Sequence, residues 1–67
     1  MNTNEILKSE RTKRGYTQQQ IADILNISRV AYTLYENGKN TPTTDNILRL
    51  AELYNVSTDY LLGRYKQ

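Results

Sequence analysis

The 67-residue chain contains no cysteine and no histidine. Without cysteine, the chain forms no disulfide, binds no zinc through thiolates and has no thiol nucleophile, so zinc fingers are excluded. Without histidine, it lacks the commonest general base and metal ligand of proteins. We therefore predict no enzyme, no metal and no cofactor, because the carboxylates are scattered at cap and surface positions: Asp23, Glu36, Asp45, Glu52 and Asp59.

Long apolar runs are also missing. The opening segment, MNTNEILKSE, resembles neither a signal peptide nor a membrane span, so the default expectation is a cytoplasmic protein that contacts no membrane. A chain of this length forms one small domain, residues 1–67, which buries only about 60% of its unfolded surface. Such a domain has little room for a deep catalytic pocket beside its core.

The net charge is small, at +2 from nine basic and seven acidic residues. This balance is compatible with nucleic-acid binding but is weak support for it. Between residues 17 and 40 the only basic residues are Arg29 and Lys39. Phosphate binding in this segment would therefore also need backbone N–H groups, amides and hydroxyls.

Helix signals recur five times, and the alternation typical of strands is never sustained. The predicted helices span about residues 4–14, 18–25, 29–36, 44–54 and 58–62. Each begins next to a residue that caps helices well, namely Thr3 or Asn4, Thr17 in a capping box with Gln20, Ser28, Thr43 and Ser57. We therefore expect an all-α, compact five-helix bundle.

The second and third predicted helices are joined by Asn26 and Ile27, which lead into the cap residue Ser28. A tight corner needs a residue that tolerates positive φ, and asparagine does so better than most. Ala22 is small enough for the third helix to cross closely. The apolar residues then point into the angle between the helices, and four residues remain on the outer face of the third helix: Arg29, Val30, Thr33 and Leu34.

Five motifs along the chain resemble those of one family. They are R-x-x-x-G-Y-T-Q-Q-Q-I-A from Arg11, I-S-R-V-A-Y-T-L-Y-E-N-G-K from Ile27, T-P-T-T from Thr41, L-A-E-L-Y-N-V-S from Leu50 and D-Y-L-L-G from Asp59. In this order and spacing, they resemble the Cro/C1-type helix-turn-helix family of phage repressors and xenobiotic-response-element-type regulators. The resemblance implies a lambda-repressor-like domain whose third helix enters the major groove of DNA.

The resemblance implies that the four outer residues read base edges. Arg29 either donates two hydrogen bonds to guanine or clamps a phosphate. Val30 and Leu34 contact thymine methyl groups. Thr33 forms either a hydrogen bond or a methyl contact. Leu34 is equally consistent with an ordinary surface leucine. For Ile24, we favour the interpretation that it adds packing contacts.

The resemblance also implies phosphate contacts at the start of the second helix and around the third, by Gln18, Ser28, Asn37, Lys39 and Asn40. Arg11 and Glu36 match an ion pair that ties the first helix to the end of the third, which is a structural role. Glu10 stands where the family frequently has leucine, so we expect the core to be slightly thinner there.

The implied function is that of a transcription regulator, favouring repression, that binds double-stranded DNA. Pairing into a homodimer on a near-palindromic operator would use the C-terminal residues Tyr54, Tyr60, Leu61, Leu62 and Tyr65, unless these only close the core of one chain. The alternative is a protein-interaction module, such as an antitoxin or adaptor, with Ile24 and Leu34 as anchors. The chain is either a whole regulator or the N-terminal part of one, and Met1 favours an intact N-terminus.

Overall fold

The computed structural model describes residues 2–64. Over these residues the chain forms five helices and no strand, which confirms the all-α prediction. The helices are α1 (Thr3–Lys13), α2 (Gln18–Leu25), α3 (Arg29–Glu36), α4 (Thr44–Tyr54) and α5 (Thr58–Leu61). Only α1 and α5 differ from the predicted bounds: α1 begins and ends one residue earlier, and α5 ends one residue earlier.

Side-chain caps start four of the helices where the sequence predicts them. Thr17, Ser28, Thr43 and Ser57 each accept a hydrogen bond from the backbone N–H three residues later, at 3.0 to 3.2 Å. In the Thr17 box, Gln20 Oε1 also accepts from Thr17 N at 2.8 Å. These bonds satisfy donors that a helix start otherwise leaves without partners.

The cap of α1 is Asn2, so the prediction of Thr3 or Asn4 is wrong. Asn2 Oδ1 accepts from Glu5 N at 3.1 Å, and Glu5 Oε1 accepts from Asn2 N at 3.3 Å. This reciprocal box requires an acidic or amide residue three positions after the cap. Only Asn2 has one, since Ile6 and Leu7 follow the other two candidates at that spacing. Helix α1 therefore begins one residue early.

The corner between α2 and α3 forms at Asn26, which adopts the left-handed conformation with φ 58° and ψ 44°. The next residue, Ile27, donates from its backbone N to Ala22 O at 2.9 Å. The expected role of asparagine in this turn is therefore confirmed. Asn55 ends α4 in the same conformation, with φ 55°, which was not predicted.

The core receives side chains from all five helices: Ile6, Leu7, Ile21, Ala22, Leu25, Tyr32, Tyr35, Ile47, Leu50, Ala51, Tyr54 and Leu61. Tyr54 and Leu61 are only 1% and 0% exposed. Their burial inside a single chain supports the alternative that these two residues close the core of one chain. Tyr60 and Leu62 are half-buried, and Tyr65 lies outside the described residues.

Glu10 does not thin the core as predicted but forms a buried polar cluster within it. Its carboxylate is 2% exposed and binds Arg14 Nη1, Lys13 Nζ at 3.1 Å and the Tyr60 hydroxyl at 2.8 Å. Arg14 Nη2 donates to Tyr54 O at 2.7 Å, and its guanidinium lies over the Tyr54 ring. The Glu10 cluster thus ties α1 to α4 and α5.

None of the described helices has the length and apolarity that crossing a membrane requires.

Candidate nucleic-acid interface

The exposed side of α3 carries the four predicted base-reading residues. Arg29 and Val30 are exposed in the first turn, with Val30 67% exposed, whereas Thr33 and Leu34 are half-buried one turn later. Within the described part of the chain, the Arg29 guanidinium has no hydrogen-bond or ion-pair partner. Its donors remain available to an outside acceptor such as a guanine edge or a phosphate.

The residues predicted to contact phosphate flank α3 at both ends. Ser28 caps α3 through Oγ, which accepts from Ala31 N at 3.0 Å, so the hydroxyl hydrogen remains available to donate. After the helix, Asn37, Lys39 and Asn40 are exposed. The backbone N–H groups of Lys39 and Asn40 donate to Leu34 O at 2.9 and 3.2 Å, which holds this loop against the end of α3.

A buried carboxylate fixes the other side of α3. Glu36 is 7% exposed and accepts hydrogen bonds from three residues. Arg11 binds it with two, from Nε to Oε2 at 2.6 Å and from Nη2 to Oε1 at 3.0 Å. The Tyr32 hydroxyl donates to Oε2 at 2.5 Å, and Gln18 Nε2 donates to Oε1 at 3.1 Å. We call Arg11, Gln18, Tyr32 and Glu36 the Glu36 network; it joins α1, α2 and α3.

Electrostatics keep Arg11 and Glu36 of this network ionised. Burial alone would raise the pKa of Glu36, but the hydrogen bonds from Arg11, Tyr32 and Gln18 outweigh it and lower that pKa. The hydrogen bond to Glu36 raises the pKa of Arg11. Burial, followed by donation to Glu36, raises the pKa of Tyr32. The carboxylate is therefore charged and the phenol neutral at neutral pH, so every partner keeps the protonation state that its hydrogen bond needs.

The side chain of Gln18 lies differently from its predicted role at a phosphate. Its Oε1 accepts from Thr33 Oγ1 at 3.1 Å while its Nε2 donates to Glu36, so both ends of the amide contact α3. Thr33 Oγ1 also lies 2.8 Å from Arg29 O, to which it donates. Sequence reasoning missed these contacts because they depend on how α2 crosses α3, and no local pattern carries that angle.

A further hydrogen bond links α3 to α4, from Asn46 Nδ2 to the Tyr35 hydroxyl at 3.1 Å. Among residues 2–64, no group of three acidic side chains lies close enough to hold a metal ion. The site built around α3 consists of an exposed reading face and a hydrogen-bonded base beneath it.

Comparisons with known proteins agree with this geometry. The family model described as Helix-turn-helix, HTH_3, matches residues 7–61. The HTH-type transcriptional regulator ImmR of Bacillus subtilis is 48% identical over 64 residues, covering 96% of this chain and 50% of ImmR. The cryptic phage CTXphi transcriptional repressor RstR of Vibrio cholerae is 37% identical over 65 residues, covering 97% of this chain and 58% of RstR. The chain thus spans about half the length of these curated relatives.

Solved structures show the same fold. A transcriptional regulator from Listeria innocua superposes with a TM-score of 0.92 at 27% identity, covering 98% of this chain and 62% of that one. The P22 c2 repressor, solved in complex with a synthetic operator, superposes with a TM-score of 0.87 at 26% identity, covering 97% and 98% of the two chains.

Proposed function

The chain belongs to the Cro/C1-type helix-turn-helix family, and we propose that it is a transcription regulator, acting as a repressor, that binds double-stranded DNA sequence-specifically through α3. The observation that carries this proposal is the first turn of α3, where Arg29 keeps all its donors available beside the exposed Val30. The P22 c2 repressor, of similar fold, was solved on an operator. We expect the protein to act in the cytoplasm, together with its DNA.

The residues of the reading face, Arg29, Val30, Thr33 and Leu34, contact bases in different ways. Arg29 donates to guanine O6 and N7, and Val30 and Leu34 contact thymine methyl groups. The single hydroxyl hydrogen of Thr33 is shared between Arg29 O and Gln18 Oε1, at 2.8 and 3.1 Å. Thr33 therefore meets a base with its methyl group or as an acceptor.

Phosphates are held by groups on either side of the groove. The backbone N–H group of Gln18 occupies the first position of α2, where no intrahelical acceptor exists, and the helix dipole favours an anion there. Ser28 contributes its hydroxyl, and Asn37, Lys39 and Asn40 contribute the exposed loop after α3. Most of these contacts are neutral, as expected for a segment with few basic residues.

A selection from randomised duplex DNA tests the proposal, at about 0.15 M salt and with non-specific competitor. We expect one sequence family to be enriched as an inverted repeat. Arg29→Ala should then relax the preference at one base position by about 1–3 kcal/mol. Arg49→Ala, at an exposed arginine of α4, is the matched control and should change nothing. Equal loss on all sequences makes Arg29 a phosphate contact, and no enrichment contradicts sequence-specific binding.

We further propose that two copies bind one operator, because a domain of this size gains stability by pairing. A largely apolar groove between the start of α4 and α5 offers the surface, and Leu48 in it is 49% exposed. Its lining residues are Thr41, Pro42, Thr44, Ile47, Leu48, Thr58 and Leu62. Native mass spectrometry with and without operator tests this. Two protomers are expected on each operator, Leu48→Lys should favour one, and a single wild-type protomer contradicts pairing.

A second candidate function, binding of another protein, is favoured by Ile24, which is 43% exposed on α2. Leu34 is a weaker anchor than the sequence predicts because it is half-buried. Ile24→Lys separates the two functions. If the variant keeps full affinity for operator DNA but loses a cellular partner, the adaptor function is supported. If it loses neither, Ile24 is an ordinary surface residue.

A further inference from the structure

We infer that Gln18 is a positioning residue for DNA recognition, whose side chain couples the reading face of α3 to the Glu36 network and so controls discrimination between sequences. The inference rests on the proposed function, since discrimination has meaning only if the chain reads DNA. It differs from the role predicted from sequence, in which the side chain of Gln18 holds a phosphate.

The contacts of the Gln18 amide form a continuous chain of hydrogen bonds. At one end, Nε2 donates to Glu36 Oε1 at 3.1 Å, which is buried and charged. At the other end, Oε1 lies 3.1 Å from Thr33 Oγ1, and the single hydrogen of that hydroxyl is shared between Oε1 and Arg29 O, which lies at 2.8 Å. The chain therefore runs from the buried ion pair through α2 to the first turn of α3, where Arg29 and Val30 lie.

Because Gln18 lies far from the covalent joint between α2 and α3, its hydrogen bonds can fix the angle between the two helices. The two helices are joined covalently only at the end of α2, through Asn26, Ile27 and Ser28. Gln18 is the first residue of the eight-residue α2, about 10 Å from that end at 1.5 Å per residue. A hydrogen-bonded tie there fixes a second point, so the helices are held against rotation about their joint.

A fixed angle matters more to base contacts than to phosphate contacts. Hydrogen bonds to base edges need distances and angles within a narrow range, whereas phosphate contacts carry no sequence information directly. Loosening α3 by a fraction of an ångström should therefore weaken binding to the preferred sequence while leaving non-specific binding nearly unchanged.

The neighbouring glutamines supply a matched control. Gln19 Nε2 donates to Asp23 Oδ1 at 2.9 Å, within α2 and on an exposed surface. Gln20 forms the capping box with Thr17. Gln18→Met and Gln19→Met therefore make the same chemical change one residue apart, and only the first breaks contacts between helices. Methionine is a good helix former of similar length, so both variants should keep α2 intact.

The experiment compares affinities for the selected operator and for random duplex DNA, across a series of salt concentrations. Gln18→Met should lower the ratio of the two affinities about tenfold, because it breaks two hydrogen bonds, one of them to a charged group. The salt slope should be unchanged, and Gln19→Met should behave as wild type. Thr33→Val should also lower the ratio, and the double variant should lose little more than the larger single loss, since both act through one chain of bonds.

Two results with DNA would overturn the inference. An equal loss on all sequences, random duplex DNA included, would make Gln18 a phosphate contact, which carries no sequence information directly. Reduced thermal stability with an unchanged affinity ratio would make it a purely structural residue.

A readout without DNA separates this inference from the proposed function. If the wild-type chain enriches no sequence, the proposed function fails, and the coupling is judged on the amide chemical shifts of α3. Shifts from Thr33 to Glu36 that change in Gln18→Met and not in Gln19→Met support the coupling. Equal shifts in the two variants overturn it.

Discussion

Replacing Tyr54 by phenylalanine should stabilise the protein, while the same replacement at Tyr32 should destabilise it. Both side chains are buried, at 1% and 0% exposure. The Tyr32 hydroxyl donates to Glu36 Oε2 at 2.5 Å. The Tyr54 hydroxyl is buried and has no hydrogen-bond partner among residues 2–64. The two changes thus remove the same atom from two positions that differ in whether that atom is satisfied.

The expected magnitudes have opposite signs. A buried donor left without a partner costs about 1–3 kcal/mol, whereas a hydrogen bond to a charged group contributes about 1.5–3 kcal/mol. Removing one oxygen also leaves a small void, which destabilises either variant by a few tenths of a kcal/mol at roughly 24 cal/mol per Å³. We expect Tyr54→Phe to gain about 1 kcal/mol and Tyr32→Phe to lose about 2 kcal/mol. The melting temperature should shift by roughly 4–8 °C for each kcal/mol in a domain of this size.

Thermal and urea unfolding, followed by far-ultraviolet circular dichroism, measures both variants. Each keeps its ring contacts, namely the Arg14 guanidinium 4.8 Å from the centre of the Tyr54 ring and the edge-on packing of Tyr32 with Tyr35. Equal destabilisation by the two changes would refute the reasoning, because it would show that the Tyr54 hydroxyl is satisfied.

Alkaline pH gives a second check on Tyr54. Burial raises the pKa of Tyr54 to about 12, above the ordinary value of 10.0. The unfolded chain therefore loses this proton first, and the associated stability is present below pH 10 and lost as the pH rises towards 12. Phenylalanine has no such proton, so the stability advantage of Tyr54→Phe over wild type should grow across that range. A constant difference would contradict the raised pKa.

Three further changes test the base of α3 and the DNA interface. Arg11→Met should cost about 3–5 kcal/mol in urea unfolding because it leaves the Glu36 charge buried without its partner. The control Lys13→Met should cost under about 1 kcal/mol, since Lys13 is 62% exposed. Lys39→Ala should flatten the salt slope of DNA binding by about one unit on every sequence, and an unchanged slope removes Lys39 from the interface. The pKa values of Glu36 and Glu10 lie below the ordinary 4.5, so their stabilisation is present above that pH and lost as the pH falls through the folded-state values. A free energy of unfolding that stays constant from pH 7 to pH 2 contradicts this.

Features that depend on neighbours in sequence were predictable. The caps Thr17 and Ser28 and the left-handed Asn26 each follow from the bonding of a few consecutive residues, so the bounds of α2 and α3 could be placed from sequence. The one error of this kind, at Asn2, came from judging cap residues singly instead of with the residue three positions later.

Features that depend on the packing of helices were not predictable. Family resemblance implied the pair of Arg11 and Glu36, but the bonds of Gln18 to Thr33 and Glu36 required the crossing angle of α2 and α3. The prediction that Glu10 thins the core was wrong for a related reason. A carboxylate in a core position suggests a packing defect unless its donors are known, and Tyr60, one of them, lies 50 residues away in sequence.

These polar contacts explain how so small a core can hold α3 in one orientation. Apolar contacts are not directional, whereas hydrogen bonds favour narrow ranges of distance and angle. Helix α3 is bonded to α1 through Arg11, to α2 through Gln18 and to α4 through Asn46. Three directional ties in different directions fix both its position and its rotation. Because little ordering of α3 then remains to be paid for on binding, the arrangement favours affinity by preorganisation, and the free and DNA-bound orientations of α3 should be the same.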